Sequence, residues 1–140
     1  MKVKIKLKNK TELPRYQTPG SAGVDLSTDS FFSLYPGESC LVSTGVAVEI
    51  PEGHVGLIMI RSSLGARGLS LSNGVGVIDS DYRGELKLAL RNNSSHLFSR
   101  PAGDRIAQLL ILPIIQVDFE VVDSFEETSR GPGGFGSTGK

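Results

Sequence analysis

The apolar residues of this 140-residue chain fall in runs too short, and too often interrupted, to build long helices. Val3, Ile5 and Leu7 alternate with lysines. Cys40 to Ile50, Val55 to Ile60 and Ile106 to Ile115 are nearly continuous, and the sets Leu86, Leu88, Leu90 and Val117, Phe119, Val121 recur at every second residue. A period of two puts successive side chains on opposite faces of an extended strand, and a short unbroken apolar run suits a strand buried on both faces. Pro19-Gly20, Pro36-Gly37, Pro51-Glu52-Gly53 and Pro101-Ala102-Gly103 stand between the runs as turn formers. The pattern predicts an all-β fold, a jelly-roll-like barrel, with one helical turn over Ser62 to Arg67 for which Ser62 or Ser63 is the N-cap. A chain of this length closes one core, so a single barrel domain over residues 1–125 is expected.

Charge narrows the partners. Lys plus Arg number 15 and Asp plus Glu number 15, so there is no net electrostatic footprint for polymeric nucleic acid or an anionic membrane. The opening Met-Lys-Val-Lys-Ile-Lys-Leu-Lys has no continuous apolar stretch of the kind a leader or membrane span requires, and a cytoplasmic protein is expected. Cys40 is the only cysteine and reads as a core residue, with no histidine placed as an obvious base for it. His54 and His96 have no partner at zinc-ligand spacing.

Chemistry concentrates in a few polar segments. In Asn73-Gly-Val-Gly-Val-Ile-Asp-Ser-Asp-Tyr82, the carboxylate of Asp79 directly follows an apolar strand; turn chemistry on both sides predicts a tight hairpin carrying Asp79 and Tyr82 near its bend. Asp79 and Asp81 equally fit ordinary turn positions. Arg61-Ser62-Ser63 ends a strand and opens a helical turn, an arrangement that suits an anion or a simple cap. Asp25, in a small apolar stretch, either orients a hydrated Mg²⁺ or pairs with an arginine. Gly103-Asp104-Arg105-Ile106-Ala107-Gln108 places polar groups at the mouth of a buried strand.

The last ten residues hold five glycines and a proline, so the chain from about Glu126 is expected to be a mobile arm over residues 126–140. Gly134 to Lys140 matches Gly-x-x-x-x-Gly-Lys literally, but a P-loop must follow a strand and open a helix, and here the lysine ends the chain. The arm still suits polyphosphate through glycine amides, the Ser137 and Thr138 hydroxyls and the planar guanidinium of Arg130. Phe135, an aromatic amid glycines, is suited to stack on a base, which is worth ~1–3 kcal/mol.

Ala22-Gly-Val-Asp-Leu26, Arg61-Ser-Ser-Leu64, Gly76-Val-Ile-Asp-Ser-Asp-Tyr-Arg-Gly-Glu85, Gly103-Asp-Arg-Ile-Ala-Gln108 and Arg130-Gly-Pro-Gly-Gly-Phe-Gly-Ser-Thr-Gly139, in this order, resemble the homotrimeric deoxyuridine triphosphatase (dUTPase) family over nearly the whole chain. Ser63 stands where many members have glycine, and Val24 where an aromatic is frequent. The resemblance implies hydrolysis of dUTP to dUMP and pyrophosphate with Mg²⁺, which limits uracil incorporation into DNA and supplies dUMP for dTMP synthesis. It implies Asp79 as the base that activates water for in-line attack at the α-phosphorus, and Asp25 as a metal contact through water. It further implies that Arg61, Ser62, Ser63 and Gln108 bind the phosphate chain, and that Asn73 with the backbone at Gly76 and Ile78 reads uracil. Tyr82 would pack on deoxyribose, Phe135 would cover the base, and Arg130, Gly136, Ser137 and Thr138 would close over the phosphates. Three subunits would share each site. The alternatives are a dCTP deaminase of the same fold, from which the Asp79 hairpin and the arm point away, and a non-catalytic nucleotide-sensing trimer.

Overall fold

The computed structural model describes residues 1–8 and 11–136. Eleven strands and one short helix follow in order: β1 (Lys4–Leu7), β2 (Val24–Ser27), β3 (Phe32–Leu34), β4 (Ser39–Ser43), β5 (Val46–Glu49), β6 (His54–Ile60), α1 (Ser62–Gly65), β7 (Leu69–Leu71), β8 (Gly76–Ile78), β9 (Lys87–Asn92), β10 (Phe98–Arg100) and β11 (Arg105–Pro113). All pairings are antiparallel. A four-stranded sheet runs β2-β11-β6-β8, a three-stranded sheet runs β4-β9-β7, and two ribbons, β1-β5 and β10-β3, complete a barrel-like shell that no continuous ladder closes.

The predicted runs became strands wherever a partner lay within the chain. The continuous run from Cys40 to Ile50 splits into β4 and β5 because Gly45 turns the backbone at φ +71°, a left-handed conformation that glycine adopts without steric cost. Alternate residues of β9 point inward, and in β11 an irregularity between Arg105 and Ala107 breaks the alternation so that the consecutive Ile106 and Ala107 are both buried; Leu88, Leu90, Ile106 and Ala107 join Leu26, Ile58 and Leu86 in one core. Each fully buried Leu or Ile contributes ~1.5–3 kcal/mol, and this core holds the two larger sheets face to face. Cys40 is half-buried against that core, as expected, and burial first, then the charge of Glu38, raises its thiol pKa.

Two expectations fail. Val117, Phe119 and Val121 form no strand: they lie in an extended stretch beyond β11 with most of their surface in solvent. The period-two signal there is genuine, but a strand needs an edge to pair with, and this stretch has none among the described residues. Nor is there a hairpin with Asp79 and Tyr82 near its bend: β8 pairs with β6 whereas β9 pairs with β4 and β7, so the turns at Asn73-Gly74 and after Asp79 each carry the chain from one sheet to the other. Turn chemistry predicts the bend but not which neighbours its arms will choose.

Candidate active site

Asp25 on β2 and Gln108 on β11 are direct cross-strand partners, which puts both side chains on one face of the sheet. Arg61 leaves the end of β6 with an extended backbone (φ −63°, ψ 137°) and occupies the N-cap of α1. Its guanidinium turns back over the same sheet, donating to the Arg105 carbonyl at 3.2 Å and placing Nε 3.4 Å from Asp25 Oδ1. Arg105 Nη1 donates to Asp25 Oδ2 at 3.0 Å, and Gln108 Nε2 donates to Oδ1 at 3.1 Å. The Asp25 side chain is only 3% exposed, so these donors satisfy a charge that would otherwise be costly to bury. Of the two readings of Asp25, the arginine pair is realised. Arg105, to which the sequence reading gave no catalytic role, is its closest partner; no local signal distinguishes it from a structural arginine.

Ser62 and Ser63 are exposed on the first turn of α1, but neither caps the helix, because Arg61 holds that position and makes no side-chain cap bond. Among the described residues neither hydroxyl is engaged in a hydrogen bond. One amide hydrogen of Gln108 is engaged on Asp25, and a carboxamide has a second to offer.

Asp79 directly follows β8 and is exposed, and among the described residues its carboxylate makes no hydrogen bond or ion pair. Its carbonyl accepts from Tyr82 N at 3.2 Å, closing a turn. Arg83 Nη1 reaches back to the carbonyls of Ser80 (2.6 Å) and Tyr82 (3.0 Å), and the Tyr82 hydroxyl donates to the Glu85 carbonyl at 3.0 Å. The carboxylate of Glu85 accepts from Gly45 N at 2.8 Å and from Lys8 Nζ at 2.7 Å. The turn that carries Asp79 is thus tied down by bonds from Tyr82 and Arg83 and, through Glu85, to Gly45 and Lys8. β8 is an edge strand, so its outer side, from exposed Asn73 through Gly76 to Ile78, presents unpaired backbone donors and acceptors.

Within one chain these two groups are far apart. The Asp25–Gln108–Met59 row crosses the sheet at the α1 end of β6, whereas Ile78 pairs with Gly56 nearer the other end. Asp25 is three strands from β8, and at about 4.8 Å per strand and 3.3 Å per residue the Asp79 turn lies roughly 20 Å away. A cleft of about 1130 Å³ is lined by Asp25 and Arg105 together with Thr11, Leu13 and Arg15, but by neither Arg61 nor Asp79.

The arm contributes a third, separate piece. Arg130 Nε donates to Gly133 O at 2.9 Å within a turn over Thr128 to Gly133, and Phe135 stands wholly in solvent with Gly136 beside it. Ser137 and Thr138 lie outside the described residues. No cluster of three or more His, Cys, Asp or Glu side chains exists among the described residues to hold a metal by itself. Asp25, flanked by two guanidinium groups, does not suit a free cation. It does suit one that arrives on phosphate oxygens, because Oδ2 keeps a lone pair for a water between metal and carboxylate.

Fold and site together define a small β-barrel protein with an arginine–carboxylate cluster and, among the described residues, an unpartnered exposed carboxylate at Asp79. The dUTPase family model matches residues 9–139, and the chain belongs to that family, whose reaction is hydrolysis of dUTP to dUMP and pyrophosphate. The chain is 49% identical to a deoxyuridine 5'-triphosphate nucleotidohydrolase of Desulfitobacterium hafniense over 99% of its own length and 97% of the relative's. It is 48% identical to one of Anaeromyxobacter sp. over 92% and 88%. Among solved structures, the dUTPase of Staphylococcus bacteriophage 80alpha with dUpNHpp superposes with a TM-score of 0.91 at 29% identity over 99% of each chain. A variant of the phage phi11 dUTPase, described with a structural Mg(II) ion, superposes at 0.83 with 26% identity, covering 91% of this chain and all of that one.

Proposed function

We propose that this chain hydrolyses dUTP at sites assembled from several copies, with Asp79 of one copy acting on a triphosphate held by the Arg61–Asp25–Gln108 cluster of another. The observation that carries this reading is the exposed, unpartnered carboxylate of Asp79 on a tied-down turn, about 20 Å from the anion cluster of its own chain. A general base must stand within hydrogen-bond reach of the water it activates, so one chain cannot supply both halves. The exposed Val117, Phe119 and Val121 give such an assembly an apolar strand to pair, and we take the assembly to be the homotrimer of the family resemblance.

Asp79 takes a proton from the attacking water as its oxygen bonds to the α-phosphorus. The bond from that phosphorus to the bridging oxygen breaks in line, and pyrophosphate leaves with the electron pair. Arg61, the Ser62 and Ser63 hydroxyls and the second amide hydrogen of Gln108 bind the phosphate chain. Asp25, by fixing Arg61 and Gln108, keeps their donors aimed. When bound, Mg²⁺ supplies charge neutralisation on the triphosphate, and of this chain's residues Asp25 would hold it, through water. The β8 edge from Asn73 to Ile78 reads the uracil, where cytosine would set donor against donor; Tyr82 packs on the deoxyribose. The arm over 126–140 closes from a further copy, bringing Arg130, Gly136, Ser137 and Thr138 to the phosphates and Phe135 to the base.

In a cell this reaction keeps uracil out of DNA and feeds dTMP synthesis, a cytoplasmic task. No helix among the described residues is long and apolar enough to cross a membrane. Pyrophosphate release compared across dUTP, dCTP, dTTP and UTP tests the reading. A preference for dUTP over dCTP of ~10⁴-fold is expected from the polar mismatch, and ammonia release from dCTP, or binding of dUTP without pyrophosphate, overturns it.

A further inference from the structure

Tyr82 is 43% exposed, yet its ring is not free to choose its height above the turn. Its hydroxyl is bonded to the Glu85 carbonyl, and the ring lies directly on Gly84. A methyl group at position 84 would overlap the hydroxyl oxygen, stand 2.5 Å from Cζ and 2.9 Å from Cε2. No atom pair of that kind tolerates such approaches, so an alanine there must push the ring outward. Gly84 has an ordinary negative φ, so backbone conformation does not demand glycine here; the ring does. Arg83 fixes the other side by holding the Ser80 and Tyr82 carbonyls, and Glu85 is itself anchored on Gly45 and Lys8.

We propose that Gly84 is a positioning residue for sugar selectivity: by lacking a side chain it lets the Tyr82 ring lie low enough to meet C2′ of a deoxyribose and leave no space for a 2′-hydroxyl. The inference rests on the reading of Tyr82 as the sugar wall of a dUTP site. A wall set by packing can discriminate only as well as its position is held, and here the holding is done by a residue that touches no substrate.

The test is the ratio of kcat/KM for UTP to that for dUTP. Gly84→Ala is expected to raise this ratio about tenfold, the scale on which a packed wall distinguishes one small group. Tyr82→Ala is expected to raise it at least as much, and the double variant no further, since Gly84 acts only through the ring. Tyr82→Phe, which removes the bond to Glu85 without adding an atom, is expected to raise it more modestly and stands in should Gly84→Ala fold poorly. An unchanged ratio in Gly84→Ala and Tyr82→Phe overturns the proposal, as does a double variant in which the two effects multiply. If the unaltered protein hydrolyses dUTP but not UTP and the variants keep that preference, only the role of Gly84 falls. If the unaltered protein ignores dUTP, the whole reading of the site falls with it.

Discussion

The Asp25 cluster and the Asp79 turn are built on opposite principles. Around Asp25 the buried carboxylate, 3% exposed, is satisfied inside one chain by a guanidinium and a carboxamide from β11 and a second guanidinium from just beyond the end of β6. Around Asp79 the backbone is tied by Arg83, Tyr82 and Glu85 while the carboxylate itself is left without a partner. In the proposed reading the first arrangement holds donors at fixed positions for an anion and the second holds a base at a fixed position without spending its charge, two complementary requirements of one reaction.

Removing the unspent base tests that contrast most severely. Asp79→Asn is expected to lower kcat by about a thousandfold, in the range for loss of a positioned base, while leaving the melting temperature and nucleotide affinity near those of the unaltered protein. Near-normal turnover would take the base role from Asp79. Combining this variant with one lacking residues 129–140 and refolding the two as an equal mixture separates the halves further. Each alone is nearly inactive, but where base and arm of one site come from different copies, about one half times one half, a quarter of sites, recover both. A mixture as inactive as its parts would mean that sites are not shared.

The Asp25 side behaves differently when cut. Asp25→Ala leaves Arg61, Arg105 and Gln108 facing an empty position. Loss of one partner from a buried pair costs ~3–5 kcal/mol, discounted to ~2–3 here because both arginines are partly exposed. Thermal unfolding should therefore fall by several degrees, together with a rise in KM. A variant as stable as the unaltered chain would show that the arginines hold their places without Asp25.

What the sequence carries of this division is uneven for physical reasons. Short apolar runs specify β6, β9 and β11 because burial acts on each residue where it stands. β3 and β10 leave little trace, since three-residue strands that pair only with each other depend on the rest of the shell to bring them together. Asp79 stands out in the sequence as a carboxylate directly after an apolar strand, although the same position suits an ordinary turn residue. Arg105 and the Lys8–Glu85–Gly45 ties do not, because each joins residues 40 or more positions apart and no local pattern encodes such a bond. Val117, Phe119 and Val121 carry a strand's pattern without a strand's partner among the described residues, because periodicity records which side chains are apolar and not what backbone they pair with.

The smallest expected effect lies where the two regions meet the framework, at Glu85. Its carboxylate is held below the ordinary value of 4.5, first by the hydrogen bond from Lys8, against the opposing pull of burial, and with help from the Gly45 amide. A carboxylate whose pKa is depressed on folding adds stability that is present above its unfolded value and is lost as the pH falls through the folded one. Glu85→Gln should therefore lower stability only slightly at neutral pH, because Lys8 is largely solvent-exposed. The difference in melting temperature between variant and unaltered chain should shrink as the pH drops below 4.5 and vanish beneath the depressed value. A gap that stays constant through that range would place the contribution of Glu85 in packing rather than charge. Because the backbone of the same residue holds the Tyr82 hydroxyl, a selectivity change in Glu85→Gln that tracks the same pH range would connect the electrostatic tie to the sugar wall.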